Sequence, residues 1–206
     1  KPLDSYVLYE RIGGPEKEPD PDHYGLIQTQ HYTLVYAKTH RNLHVSEDDQ
    51  YLYFIHGELF LRNEVMTEAE EAPVNDNHLI PAYFQREGAP FIRHFKGTFN
   101  LFIIHKRERR LLAITGPLGL FPVYEMQQDG SRFLSGDFWY LHGISEKPET
   151  DFVSILEYAI FNYPHGAYTW DRHIKRLGAA RIYEFGTDQT HTGYPALRYE
   201  EARREN

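Results

Sequence analysis

Between Gly97 and Ile114 the chain carries two near-continuous apolar runs. The first is Gly97-Thr98-Phe99-Asn100-Leu101-Phe102-Ile103-Ile104-His105 and the second Arg110-Leu111-Leu112-Ala113-Ile114, parted by the charged turn Lys106-Arg107-Glu108-Arg109. Two short runs bounded by such a turn read as a hairpin. Strands that are apolar at successive positions, rather than at alternate ones, need cover on both faces. The hairpin is therefore predicted to lie buried between layers. Further strands are expected at Tyr6 to Ile12, closed by Gly13-Gly14-Pro15, and at Tyr24 to Gln28, Thr33 to Lys38, Tyr51 to His56, Leu120 to Met126, Arg132 to Ser135 and Ala180 to Phe185, with Asp129-Gly130 as a hairpin turn. Helical patterns are read from Glu58 to Ala72, from an Asp76 cap to Arg86, and from Asp151, near the N-cap, to Asn162; Thr169 to Leu177 reads as a short helix or turn. Consecutive hairpins with helices bunched between them predict an α+β fold of two sheets covered by helices. An aromatic share of 15% suits such pleated, half-buried surfaces.

At 206 residues the chain is expected to form one domain with a sizeable core. It has no cysteine, so disulfides, thiolate metal sites and a cysteine nucleophile are excluded within these residues. A net charge of −8 argues against nucleic acid and against an anionic membrane surface as partners. No apolar run is long enough to span a bilayer and no signal segment is read, which gives a cytoplasmic expectation. No phosphate-binding glycine pattern occurs, and no cofactor is expected. Twelve histidines invite a metal hypothesis, but the short pair His40-x-x-x-His44 would lie about 13 Å apart on a strand, so no metal site is expected. The basic turn from Lys106 to Arg110 reads as a solvated hairpin tip.

Three segments carry a family resemblance: Gly57-Glu58-Leu59-Phe60, Phe95-Lys96-Gly97-Thr98-Phe99, and Leu118-Gly119-Leu120-Phe121-Pro122-Val123-Tyr124, followed by Ser135-Gly136-Asp137 and a short helix from Phe138 to Leu141. Their order and spacing resemble the glutaminase domain of asparagine synthetases, a class II glutamine amidotransferase of the N-terminal-nucleophile hydrolase superfamily. The resemblance runs from about Tyr51 to Phe185. It implies an α/β/β/α four-layer sandwich over 1–190, with 191–206 as a tail or linker toward a missing or separate synthetase domain.

The resemblance also implies a chemistry that this chain departs from. The family uses an N-terminal cysteine thiolate on the glutamine amide, with the α-amino group as base. Here Ser5 stands directly before the first strand, where that cysteine would sit. It is either an ordinary residue leading into the strand or, if exposed as a terminus, a serine nucleophile. The family's oxyanion asparagine is replaced by His56, while Gly57 could still offer its N–H. Glu58 and Asp76 match the acids that hold the substrate's ammonium group; the plainer readings are a helix-leading acid and an N-cap. The carboxylate-binding arginine falls somewhere from Lys38 to Arg41. The acid–arginine pair before Leu-Gly has become Thr115-Gly116-Pro117, and the glutamate after Ser135 is Gly136. Apolar positions fit and polar ones differ. The expectation is a degenerate domain without glutaminase activity, docking on an ATP-using synthetase domain or subunit and retaining at most a site for a small amino acid or amine. The rival is an active amidohydrolase with Ser5, or a residue absent from this chain, as nucleophile.

Overall fold

The computed structural model describes residues 3–10, 20–61, 79–162, 166–186 and 190–194. Alternation decides the architecture. In β5 (Tyr51–Leu61), Leu52 and Phe54 face one way and Tyr53 and Ile55 the other; in β6 (Phe95–His105) the same holds for Phe102 and Ile104 against Leu101 and Ile103. All of these are buried, because each face of this sheet is covered. With β4 (Leu43–Glu47), β7 (Leu111–Thr115), β11 (Arg181–Phe185) and β12 (Thr190–Gly193) they form a six-stranded antiparallel sheet in the order β12-β11-β7-β6-β5-β4.

The second sheet holds β1 (Tyr6–Glu10), β2 (Tyr24–Gln28), β3 (Tyr32–Ala37), β8 (Tyr124–Gln128), β9 (Ser131–Ser135) and β10 (Ile174–Arg176), in the order β10-β8-β9-β1-β3-β2. Tyr6, Leu8 and Leu34 from this sheet pack against Leu52, Phe54 and Phe102 of the first, and Tyr6 meets Phe54 and Phe102 edge-on at 4.9 and 5.3 Å. On the outer face of the first sheet, α1 (Leu79–Glu87) and the 3-10 turn Ala89–His94 bury Ile80, Phe84 and Phe91 over Tyr53, Ile55 and Leu101. On the outer face of the second, α2 (Phe138–Ile144) buries Leu141 with Val7, Val35 and Met126. The result is the four-layer α/β/β/α sandwich, with the hairpin of β6 and β7 buried as the sequence predicts. No helix among the described residues is long and apolar enough to cross a membrane.

A third helix, α3 (Phe152–Phe161), starts where predicted: Asp151 accepts hydrogen bonds from the Val153 and Ser154 N–H groups. It ends at Asn162, which adopts the left-handed conformation (φ 62°). The Asp129-Gly130 turn is also observed, with φ of 51° and 75°.

Several expectations are corrected. Glu58 to Leu61 are not helical but continue β5, because all eleven residues pair with β6; the rest of the stretch to Ala72 lies outside the described residues. Ile174–Arg176 within Thr169 to Leu177 is a strand, held against β8. The strand expected from Leu120 begins only at Tyr124, and Phe185 is followed by β12, whose Thr192 lies opposite Ile182. The basic turn is not simply solvated: Lys106 pairs with Glu47, Arg109 with Glu10 and Arg110 with Glu184, which ties the hairpin tip to three neighbouring strands.

Candidate functional site

Ser5 enters β1 beside β3, its carbonyl accepting the Ala37 N–H at 2.8 Å. The residue is only 8% exposed, and its Oγ has no hydrogen-bond partner among the described residues. Among the described residues no imidazole or carboxylate hydrogen-bonds to it. Its nitrogen is an amide joined to Asp4, and Leu3, one residue further back, is buried at 5% exposure among Val7, Val35 and Leu141. Leu3 is thus part of the core, while Asp4 between it and Ser5 is exposed. Gly136 packs against the serine: a Cβ there would lie 2.8 Å from Oγ. The room that Ser5 occupies depends on that glycine.

His56 continues the inward-facing register of Leu52 and Phe54 and lies in the inter-sheet layer, 5% exposed. Its ring stacks on Phe121 at 4.3 Å and meets Tyr6 and His40 edge-on at 5.6 and 5.2 Å. Burial, reinforced by the neighbouring His40, pushes its pKa down to about 4, so the imidazole is neutral at pH 7. Its Nδ1 has no partner among the described residues. Burial likewise raises the Tyr6 phenol well above its ordinary value. Gly57 follows at φ 107°, and its N–H donates to the Asn42 carbonyl at 2.7 Å. The one backbone donor expected to serve an oxyanion is already engaged by the chain leading into β4.

Glu58 sits on β5 opposite Thr98 and is exposed. Asp76, expected beside it, lies outside the described residues, so the pair is not brought together here. Of the candidate cations, Lys38 donates to the Pro21 carbonyl at 2.7 Å and Arg41 is exposed. His44 lies on edge strand β4, and among the described residues no group of three or more His, Asp or Glu could hold a metal ion.

Sequence reasoning missed two residues that organise this region. Asn100, buried in β6, donates from Nδ2 to the Phe121 carbonyl at 2.9 Å and accepts the Gly116 N–H at 3.1 Å. It thereby fixes the loop that lays Phe121 on His56. A lone amide in an apolar strand was the available signal. His40, weighed in the sequence only as half of the His40–His44 pair, is brought instead to His56 by the turn between β3 and β4.

Ser5 also lines a cavity of about 580 Å³ between α2, α3 and the β8–β10 edge. His56, Gly57 and Glu58 do not line it. The expected nucleophile and the expected oxyanion donors therefore do not meet in this cavity.

No curated protein matches the chain. Among solved structures it is similar to the allosteric regulatory enzyme of purine biosynthesis (9% identity, 93% of this chain, 43% of that one, TM-score 0.43). It is also similar to the glutamine phosphoribosylpyrophosphate amidotransferase from B. subtilis complexed with ADP and GMP (8% identity, 93% and 43% coverage, TM-score 0.42). The chain spans 43% of the length of each. The glutamine amidotransferase domain family matches residues 30–137, just over half of the sequence, from the turn before β3 through the cap of α2. By that match the chain belongs to the glutamine amidotransferase domain family.

Proposed function

We propose that this chain is a degenerate domain of the N-terminal-nucleophile type, belonging to an asparagine-synthetase-like system, that does not hydrolyse glutamine. It serves instead as a binding and docking module for ATP-dependent amide-bond formation. The observation that carries the reading is at Ser5: no cysteine lies within these residues, and the serine's nitrogen is an amide behind a buried Leu3. The family's base is a free α-amine, which Ser5 lacks while it is joined to Asp4. Gly57 and His56 support the same reading. With one N–H held by Asn42 and the imidazole stacked on Phe121, oxyanion stabilisation worth about 10²–10³ in rate per donor is missing.

The docking role is supported by α3. Phe152, Val153, Leu156 and Ile160 are all at least 60% exposed, and Ile155, Tyr158 and Phe161 are also exposed. Together these side chains present on the order of 700 Å² of apolar surface, close to one side of a standard protein interface. The occupant proposed for it is the ATP-using synthetase domain or subunit.

The test is a coupled glutamate and ammonia assay with glutamine. No release above blank is expected, and Ser5→Ala should change nothing. Release abolished by Ser5→Ala would establish the serine-dependent amidohydrolase instead. For the docking role, sedimentation of the chain with a purified synthetase domain should show a complex that Leu156→Glu with Ile160→Glu removes; no complex with the parent chain would refute it.

A further inference from the structure

The glutamine chemistry leaves the cavity beside Ser5 unused, and aromatic rings from separate elements wall it: Phe138 and Trp139 of α2, Tyr158 of α3, and Trp170 ahead of β10. Trp170 is the hub. It meets Phe138, Trp139 and Tyr158 at 6.3, 5.6 and 5.3 Å, with the ring planes inclined at 79°, 66° and 81°. Phe138 meets Trp139 in the same way, at 5.1 Å and 75°. Neighbouring ring faces therefore stand steeply to one another. The rings are not sealed off: Trp139 and Tyr158 keep nearly half of their surface open, and Tyr168, on the same wall, slightly more than half. Two polar side chains of the wall, by contrast, are engaged in holding it. The Thr169 hydroxyl lies 2.9 and 2.6 Å from the Asp171 and Ile174 carbonyls, and Arg176 donates to the Gly119 carbonyl at 2.9 Å.

We infer that this cavity binds a small, flat, uncharged aromatic molecule. At about 580 Å³ it has the size of a small-molecule site. Aromatic pairs favour edge-to-face and offset-stacked contacts, because ring faces are negative and ring edges positive. A flat ring laid on one open face of the wall turns its edge toward the next, steeply inclined face. It thereby continues the pattern that Trp170 already makes with its three neighbours. A saturated ring of the same size buries similar area but gains none of this complementarity. His56, Gly57 and Glu58 take no part in the cavity, so the site is independent of the proposed loss of hydrolysis.

The chain's only two tryptophans, Trp139 and Trp170, both line the cavity, so tryptophan fluorescence, excited at the red edge of its absorption, reports on it directly. The probes are benzamide and cyclohexanecarboxamide, titrated at pH 7 into the intact chain. They share a head group and differ in the ring, and both are uncharged, so the charges on the wall drop out of the comparison. A saturable change at millimolar benzamide is expected, with cyclohexanecarboxamide roughly three- to tenfold weaker. Trp139→Leu combined with Tyr158→Leu removes two half-open rings and leaves Trp170 as the reporter; circular dichroism verifies the fold. The double variant should lose that preference, its affinities for the two probes differing by less than about twofold. Absence of saturation with benzamide, equal binding of the two probes by the parent chain, or an undiminished preference for benzamide in the folded double variant would each overturn the assignment. Should the double variant not fold, the probe pair on the parent chain decides alone. The readout needs no turnover, so it is separate from the glutamine assay.

Discussion

Acid should unfold this chain partly through His56. Its folded-state pKa is about 4, against an ordinary 6.5, because it is buried beside His40. As pH falls below 6.5 the unfolded chain takes up the proton first, so the stability that the neutral ring contributes is complete above that pH and is lost on the way to 4. The two values give a loss of about 1 kcal/mol between pH 7 and 5.5, and about 3 kcal/mol by pH 4. A His56→Phe variant keeps an aromatic ring against Phe121 and removes the titration. Urea denaturation of both proteins at pH 7, 5.5 and 4 isolates the effect, because carboxylates such as Glu87, lowered to about 2 chiefly by Arg86, titrate in both. The parent should lose about 3 kcal/mol more than the variant across that range. Equal losses, or a proton NMR titration of His56 centred at 6.5, would refute the burial argument.

Gly57→Ala should destabilise the fold by roughly 2–4 kcal/mol in urea denaturation, since its Cβ would meet the Thr98 carbonyl at 2.1 Å on a backbone at φ 107°. Leu3→Ala should cost about 2–3 kcal/mol by the same measurement if the segment before Ser5 is truly core, and almost nothing if it is a dispensable leader.

Much of the sandwich was legible because burial follows a period of two. The inward Leu52 and Phe54 and the outward Tyr53 and Ile55 are separated by alternation alone, and the apolar hairpin could only be covered on both sides. The edges were not legible. In β4 every residue is half-buried or exposed, and among the described residues β12 pairs only with β11, so neither carries the apolar pattern of an interior strand. Glu58 to Leu61 show the opposite failure: an acidic, helix-like reading is overridden by eleven consecutive pairings with β6. At the site, residue types were legible and availability was not. Whether the Gly57 N–H is open depends on the Asn42 carbonyl, which reaches it from outside the strand. The aromatic cavity draws Tyr124, Trp139, Tyr158 and Trp170 from separate elements, with no spacing in the sequence to announce it.

A retained glycine is easily taken for retained chemistry, and the β5–β6 pair argues otherwise. A Cβ at Gly57 would strike the Thr98 carbonyl at 2.1 Å, and a Cβ at Gly97 would strike the Glu58 carbonyl at 2.2 Å. Both residues adopt positive φ, 107° and 129°. The two glycines let the central strands approach where their backbones leave ordinary pleated geometry, and that requirement persists whether or not an oxyanion ever forms beside them. Asn100 adds a second constraint of the same kind. By clamping Gly116 and Phe121 it holds an aromatic ring over His56, and a ring so stacked cannot swing its nitrogen toward a substrate without breaking the Phe121 contact. The glycines that let the strands approach and the Asn100 clamp that keeps His56 engaged lie side by side on β5 and β6. Packing alone accounts for the glycine at Gly57, whereas the neighbouring Glu58 is exposed, so it is at Glu58 that a ligand contact is to be sought.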